Sequence, residues 1–172
     1  MKLDIGGEQT FGLPVEAVWS ALNDPAVLKK CIPGCKDMIA DGDDRFRLIL
    51  SLRVASVGGD FDGEVGLSDK LAPTQCRISV AGSGTLGHGG GSATFSLARQ
   101  ADQATIMRYA GEGEIGGLVA GVGQRILKGV AKHLVAQFFT ALRREINEGP
   151  RPQQQGPRGP SGSPIKIEEG EQ

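Results

Sequence analysis

The sequence predicts an α+β fold in which a curved antiparallel sheet is closed by one long helix near the C-terminus. Three observations predict it. Segments from residue 38 to residue 109 alternate apolar and polar residues with period two, as strands with one buried face do. Residues 117–147 carry apolar side chains at spacings of three and four, as an amphipathic helix does. Two short helical segments follow the first strand-like run, so helices and strands are segregated along the chain.

Leu3, Ile5 and Gln9 to Phe11 form the first strand-like run. Pro14 then stands where a helix starts, since its missing N–H is not needed there. Val15, Val18, Trp19 and Leu22 follow at helical spacing. Asn23-Asp24-Pro25 interrupts the helix and restarts it, with Asp24 as N-cap and Pro25 at the first position. Val27, Leu28 and Cys31 belong to this second helix, which Pro33-Gly34 ends. Met38–Ala40 and Arg45–Val54 read as a hairpin around Asp41-Gly42-Asp43-Asp44. In the second of these strands Phe46, Leu48, Leu50, Leu52 and Val54 share one face, and Arg45, Arg47, Ser51 and Arg53 the other.

Three further apolar sets alternate with polar residues in the same way: Phe61, Val65 and Leu67; Cys76, Ile78 and Val80; Ala93, Phe95 and Leu97. Met107 and Tyr109 flank Arg108 in the last strand. Between them, Gly82 to Gly91 is rich in glycine and reads as a long hairpin loop, with a gate over a cavity mouth or a partner-docking loop as the alternative. It has no G-K-[ST] ending and opens no helix, which argues against a phosphate loop. The final helix is expected from Gly117 to Asn147, with Val119, Val122, Ile126, Val130, Leu134, Phe138, Leu142 and Ile146 as its apolar stripe.

The bulk numbers narrow the function classes. A chain of 172 residues suggests one domain able to bury a core without staples. A formal net charge of -1 gives no reason to expect nucleic acid. Three cysteines are an odd number, which fits a reducing cytoplasm better than a disulfide framework. No basic segment followed by an apolar run opens the chain, so no signal peptide is expected. No apolar stretch is long enough to span a bilayer. From residue 149 the composition changes: five of the nine prolines (Pro150, Pro152, Pro157, Pro160 and Pro164) lie beyond it, among Gly, Gln and Ser. The expected organisation is a folded domain over 1–148 and a disordered Pro/Gly-rich tail over 149–172.

This element order resembles the helix-grip superfamily of START lipid-transfer domains, the major birch pollen allergen and polyketide cyclases. Particular residues narrow the match. Pro14-Val15-Glu16-Ala17-Val18-Trp19 with Ala21-Leu22-Asn23-Asp24-Pro25, and Cys31-Ile32-Pro33-Gly34-Cys35, resemble the CoxG family associated with aerobic carbon monoxide dehydrogenase. Phe61-Asp62-Gly63-Glu64-Val65, Leu67-Ser68-Asp69, Gly116-Gly117-Leu118 and Gly123-Gln124-Arg125 resemble later parts of that family. The resemblance spans residues 2–148. It implies an accessory subunit, not an enzyme, that serves a molybdenum hydroxylase. It also implies an apolar ligand such as a quinone in the grip cavity, with a part in membrane recruitment or electron transfer. Some members carry an apolar C-terminal anchor, whereas the tail here is polar.

On this reading the cavity wall is Phe46, Leu48, Leu50, Phe61, Val65, Ile78, Val80, Phe95, Met107, Tyr109, Val122 and Ile126. Tyr109 is the candidate hydrogen-bonding group for a polar end of the ligand. Glycines in or beside the strands (Gly63, Gly82, Gly84, Gly111 and Gly113) mark curvature, ligand space or both. Cys31 and Cys35 are spaced C-x3-C, which is neither a zinc half-site nor a C-x-x-C redox motif; a small core residue is the expectation for Cys31. The two histidines, His88 and His133, form no readable triad, and Asp60, Asp62 and Glu64 read as a solvated strand face. Arg125, Lys128 and Lys132 read as a solvated helix face, with anionic lipid or an acidic partner as the alternative. No tightly bound cofactor or metal is expected, and the location is cytoplasmic or peripheral on the inner membrane face. Two rival functions stay open: a polyketide-cyclase-like enzyme, which needs an inward acid or base, and a ligand-free docking protein, which needs a filled interior.

Overall fold

The computed structural model describes residues 1–54, 57–101 and 103–148. The elements run β1 (Lys2–Phe11), α1 (Val15–Leu22), α2 (Pro25–Cys31), β2 (Cys35–Ala40), β3 (Arg45–Val54), β4 (Val57–Leu71), β5 (Gln75–Gly84), β6 (Gly87–Arg99), β7 (Thr105–Gly116), a 3-10 turn (Leu118–Val122) and α3 (Gln124–Glu148). The tail expected over 149–172 lies outside the described residues. The strands make one antiparallel sheet in the order β1-β7-β6-β5-β4-β3-β2. The chain meanders from β2 to β7, and β1 closes on β7. The concave face of this sheet wraps α3 in a helix-grip arrangement.

Local chemistry explains the helix boundaries. α1 starts directly after Pro14. The Asp24 carboxylate accepts a hydrogen bond from the Ala26 N–H at 2.9 Å, and Pro25 takes the first helical position, as capping requires. α3 does not begin at Gly117 as its periodicity suggests. Gly117 and Gly123 have φ of 89° and 98°, a backbone only glycine adopts without strain. They isolate the 3-10 turn from α3, so Val119 and Val122 do not continue the helical stripe.

The glycine-rich stretch is a second correction. It is not a loop: β5 and β6 stay paired up to Gly84 opposite Gly87, leaving only Thr85-Leu86 at the turn. Glycine weakens the period-two signal because it carries no side chain to alternate.

One end of the molecule is a solid core. Phe11, Val15, Val18, Phe95, Leu97, Met107, Phe139 and Leu142 are buried together. Trp19 meets the Phe95 ring at 6.0 Å between centroids. The fully buried Thr105 hydroxyl donates to the Leu13 carbonyl at 2.7 Å, which satisfies a polar group there. Ion pairs such as Arg108–Glu8 and Arg99–Glu16, both 2.8 Å, are exposed and contribute little.

Leu142, with no exposed surface, should cost about 2–5 kcal/mol when truncated to alanine. Leu134, which faces the hollow end described below, should cost about 1 kcal/mol. Urea unfolding of Leu142→Ala and Leu134→Ala checks the contrast.

Candidate ligand cavity

Directly opposed residues of an antiparallel sheet share a face, so the register gives the concave surface row by row. Near the solid end, Cys76, Phe95 and Tyr109 stand side by side. The next row holds Leu67, Ile78, Ala93, Gly111 and Ile5. Then come Val65, Val80, Gly91, Gly113 and Leu3. Leu48, Gly63, Gly82, Gly89 and Ile115 follow. On β6 the concave side chains therefore shrink from Phe95 through Ala93 to Gly91 and Gly89, and on β5 they end at Gly82.

That gradient leaves a cavity of about 680 Å³ between the sheet and the first half of α3, within the usual range of small-molecule sites. Val80 keeps 46% of its surface accessible although it stands on the concave face, because nothing packs against it.

Leu48, Leu50, Phe61, Val65, Ile78, Val80, Phe95, Met107 and Tyr109 stand on the cavity wall, as strand alternation predicts. Three expected residues do not. Phe46 sits at the corner of the sheet where β3 begins. Val122 lies in the 3-10 turn, and Ile126 is 43% exposed. A single helical phase run through Gly123 puts these two inside, but α3 begins only at Gln124 with a phase of its own, which turns Ile126 outward and Leu127 inward. The helix wall is instead Leu127, Val130, Ala131, Leu134, Val135, Phe138 and Phe139. Val130, Leu134 and Phe138 belong to the stripe read from sequence; Leu127, Val135 and Phe139 widen it, as a helix gripped by a curved sheet requires. Leu28 and Ile32 of the α2 region and Leu3 and Ile5 of β1 also line the space. Nothing in their local pattern points inward to a cavity.

The interior is nearly devoid of polar side chains. Asp62, Glu64, His88, Glu112 and Glu114 border the cavity, but each alternates with an inward residue and is exposed on the convex face. Glu64 pairs there with Arg45 at 3.9 Å and Glu112 with Lys2 at 4.0 Å. Tyr109 is the exception. Its ring packs against Phe139 at 5.1 Å and its hydroxyl lies over Gly7, where a side chain would come within 2.9 Å of it. Among the described residues the Tyr109 hydroxyl has no hydrogen-bond partner, and no three His, Cys, Asp or Glu side chains converge as a metal site would need.

This sheet, helix and cavity can be set beside known proteins. The family model of the carbon monoxide dehydrogenase protein CoxG matches residues 7–147. The chain belongs to the CoxG family. Among solved structures, a conserved protein from Geobacillus kaustophilus is 34% identical, with a TM-score of 0.82, over 87% of this chain and 97% of that one. Two others share the fold at lower identity. A START superfamily protein from Mycobacterium smegmatis is 14% identical with a TM-score of 0.65, over 84% of this chain and 97% of its own. An aromatase/cyclase from Streptomyces sp. R1128 is 15% identical with a TM-score of 0.63, over 86% and 95%. No protein of curated function matches the chain by sequence.

The Cys31–Cys35 segment that resembles CoxG proteins closes no disulfide. Both thiols are free, Cys31 is buried in α2, and Cys35 bonds through its sulfur to the Asp37 carbonyl at 3.3 Å. Burial, aided by the Glu145 carboxylate, pushes the Cys31 thiol up to about 11. Burial raises Cys35 and Cys76 as well. A raised thiol favours the neutral folded form. Its stabilisation is therefore complete below the ordinary thiol range and is lost as pH rises from about 9 towards 11. Cys31→Ala should flatten the loss of stability over that window, followed by urea midpoints. At neutral pH, Cys31 and Cys76 should react with a thiol reagent only after unfolding.

Proposed function

We propose that this CoxG-family chain is a carrier subunit of a carbon monoxide dehydrogenase-type molybdenum hydroxylase. It binds one apolar molecule, a quinone, in the cavity and presents it to the enzyme at the inner face of the cell membrane. The observation that carries this reading is the hollow end itself. It is an apolar space of about 680 Å³ with one hydroxyl on its wall and room for a ligand. Each Å² of apolar ligand surface buried there gains about 25 cal/mol, so a lipid-like molecule needs no ion pair to be held. A quinone adds carbonyl oxygens that match the free Tyr109 donor.

Binding fits the interior better than catalysis does. General acid–base chemistry needs a tuned acid or base within reach of substrate. Among the described residues only Tyr109 points a titratable side chain into the cavity. The aromatase/cyclase shares the fold at 15% identity, and fold alone transfers no chemistry. A purely docking protein needs a filled interior, which the cavity disfavours. Membrane contact on this reading is peripheral: no described helix is long and apolar enough to cross a bilayer. Leu118, 76% exposed, and Ile126 instead flank Arg125 and Lys128 beside the hollow end, an arrangement suited to anionic headgroups.

Native mass spectrometry of gently purified protein should detect a single lipophilic passenger, or one equivalent of added prenylated quinone. Protein that is empty and ignores quinones refutes the carrier reading. Tyr109→Phe should leave folding unchanged and weaken quinone binding about two- to tenfold, the worth of one hydrogen bond. Isothermal titration calorimetry measures it.

A further inference from the structure

A lipid-like ligand has two unlike ends, and so does the cavity. Tyr109 supplies the hydroxyl at one of them. Phe95, Met107 and Phe139 beside it are cavity wall and buried core at once, so the space stops there and runs only the other way. On β7 the concave positions after Tyr109 are Gly111, Gly113 and Ile115, and all of them line the cavity. No β7 side chain rises towards the cavity between Tyr109 and Ile115. An added Cβ would stand 2.6 Å from the Ala93 Cβ at Gly111, and 3.0 Å from the Gly90 carbonyl oxygen at Gly113. The close approach of β6 therefore keeps this track bare. Ile5 and Leu3 of β1, opposite Gly111 and Gly113, line the space beside it.

The track ends at the 3-10 turn. Val119 lines the cavity, and its Cγ1 lies 2.9 Å from where a Cβ on Gly87 would stand. Gly87 is the next concave position of β6 beyond Gly89, which is opposite Ile115. The Val119 side chain thus caps the space just past the Ile115 row. The cap is light: the Val119 N–H donates to the Leu86 carbonyl at 2.6 Å, but no residue of the turn is buried. From Tyr109 to Ile115 the strand rises about 20 Å. A prenyl unit adds four chain bonds, about 5 Å when extended, against 3.8 Å across the three bonds of a peptide unit. Past a head ring at Tyr109, the track covers about three such units.

Resting on the carrier reading above, we propose that the ligand lies lengthwise along β7, polar end at Tyr109 and apolar chain towards Val119, and that the 3-10 turn sets the length of chain the cavity covers. Chain beyond Val119 leaves the cavity and gains no further burial. Calorimetric titration with quinones carrying one, three and six prenyl units tests this on wild type, Tyr109→Phe and Val119→Asp, with folding followed by circular dichroism. Wild-type affinity should rise at least about tenfold from one unit to three, and by less than about threefold from three to six. Tyr109→Phe should weaken all three quinones by the same factor. Val119→Asp should weaken the two longer quinones about tenfold, since their chains meet the new carboxylate, and change the shortest by less than about threefold. Should Val119→Asp fail to fold, the wild-type length series decides alone. Affinity that climbs as steeply beyond three units as before, or a Val119→Asp loss shared by the shortest quinone, overturns the lengthwise placement while leaving the carrier reading intact. Wild type that binds none of the three overturns both.

Discussion

Everything in this molecule depends on α3 packing tightly at one end and hardly at all at the other. Its second half is locked through Phe139 and Leu142 among Phe11, Val18, Phe95 and Met107. Its first half looks onto glycine. The space is partly open to solvent, so its walls meet water, which finds few partners in apolar surroundings. An apolar ligand that covers them would gain about 25 cal/mol per Å² and stabilise the folded chain by mass action.

A helix that spans a void needs to be held at its ends. The Gln124 side chain donates to the Lys2 carbonyl at 2.7 Å. Near the far end, Arg143 donates to the Thr10 carbonyl at 3.2 Å and to the Gln9 side chain, with its guanidinium 4.7 Å from the Phe11 ring centre. Lys30 of α2 meets Glu145 at 3.7 Å. These contacts fix α3 along the free edge of β1, and they occupy carbonyls that an open edge strand would offer to other chains. The helix is thus positioned by contacts at both termini of β1 as well as by the core around Phe139.

How much of this is legible in the sequence follows from which residues carry side chains. Arg45–Val54 announces β3 because every second residue is apolar and long, and Asp24-Pro25 announces α2 because capping is local chemistry. The strands through Gly82–Gly91 and Gly111–Gly116 leave no alternation to read, so the stretch that shapes the cavity looks like a loop. Wall residues on strands are readable because a period of two admits only two faces. Those on α3 are not fully readable, since its phase depends on where the helix starts and Gly123 hides that point. Leu28, Ile32 and Leu3 line the cavity through tertiary placement alone.

The division between solid and hollow ends separates two demands that usually conflict. Stability resides in residues such as Leu142 and Val18, far along the strands from the glycines of the hollow end. The cavity wall includes positions where a side chain would meet only a 3.3 Å contact, such as Gly63 and Gly82. Substitutions there alter the shape of the space without removing a core contact, so the preferred ligand can change while the fold persists. The fold itself recurs in proteins only 14–15% identical to this chain, so few of its individual side chains are required for a sheet of this kind to grip a helix.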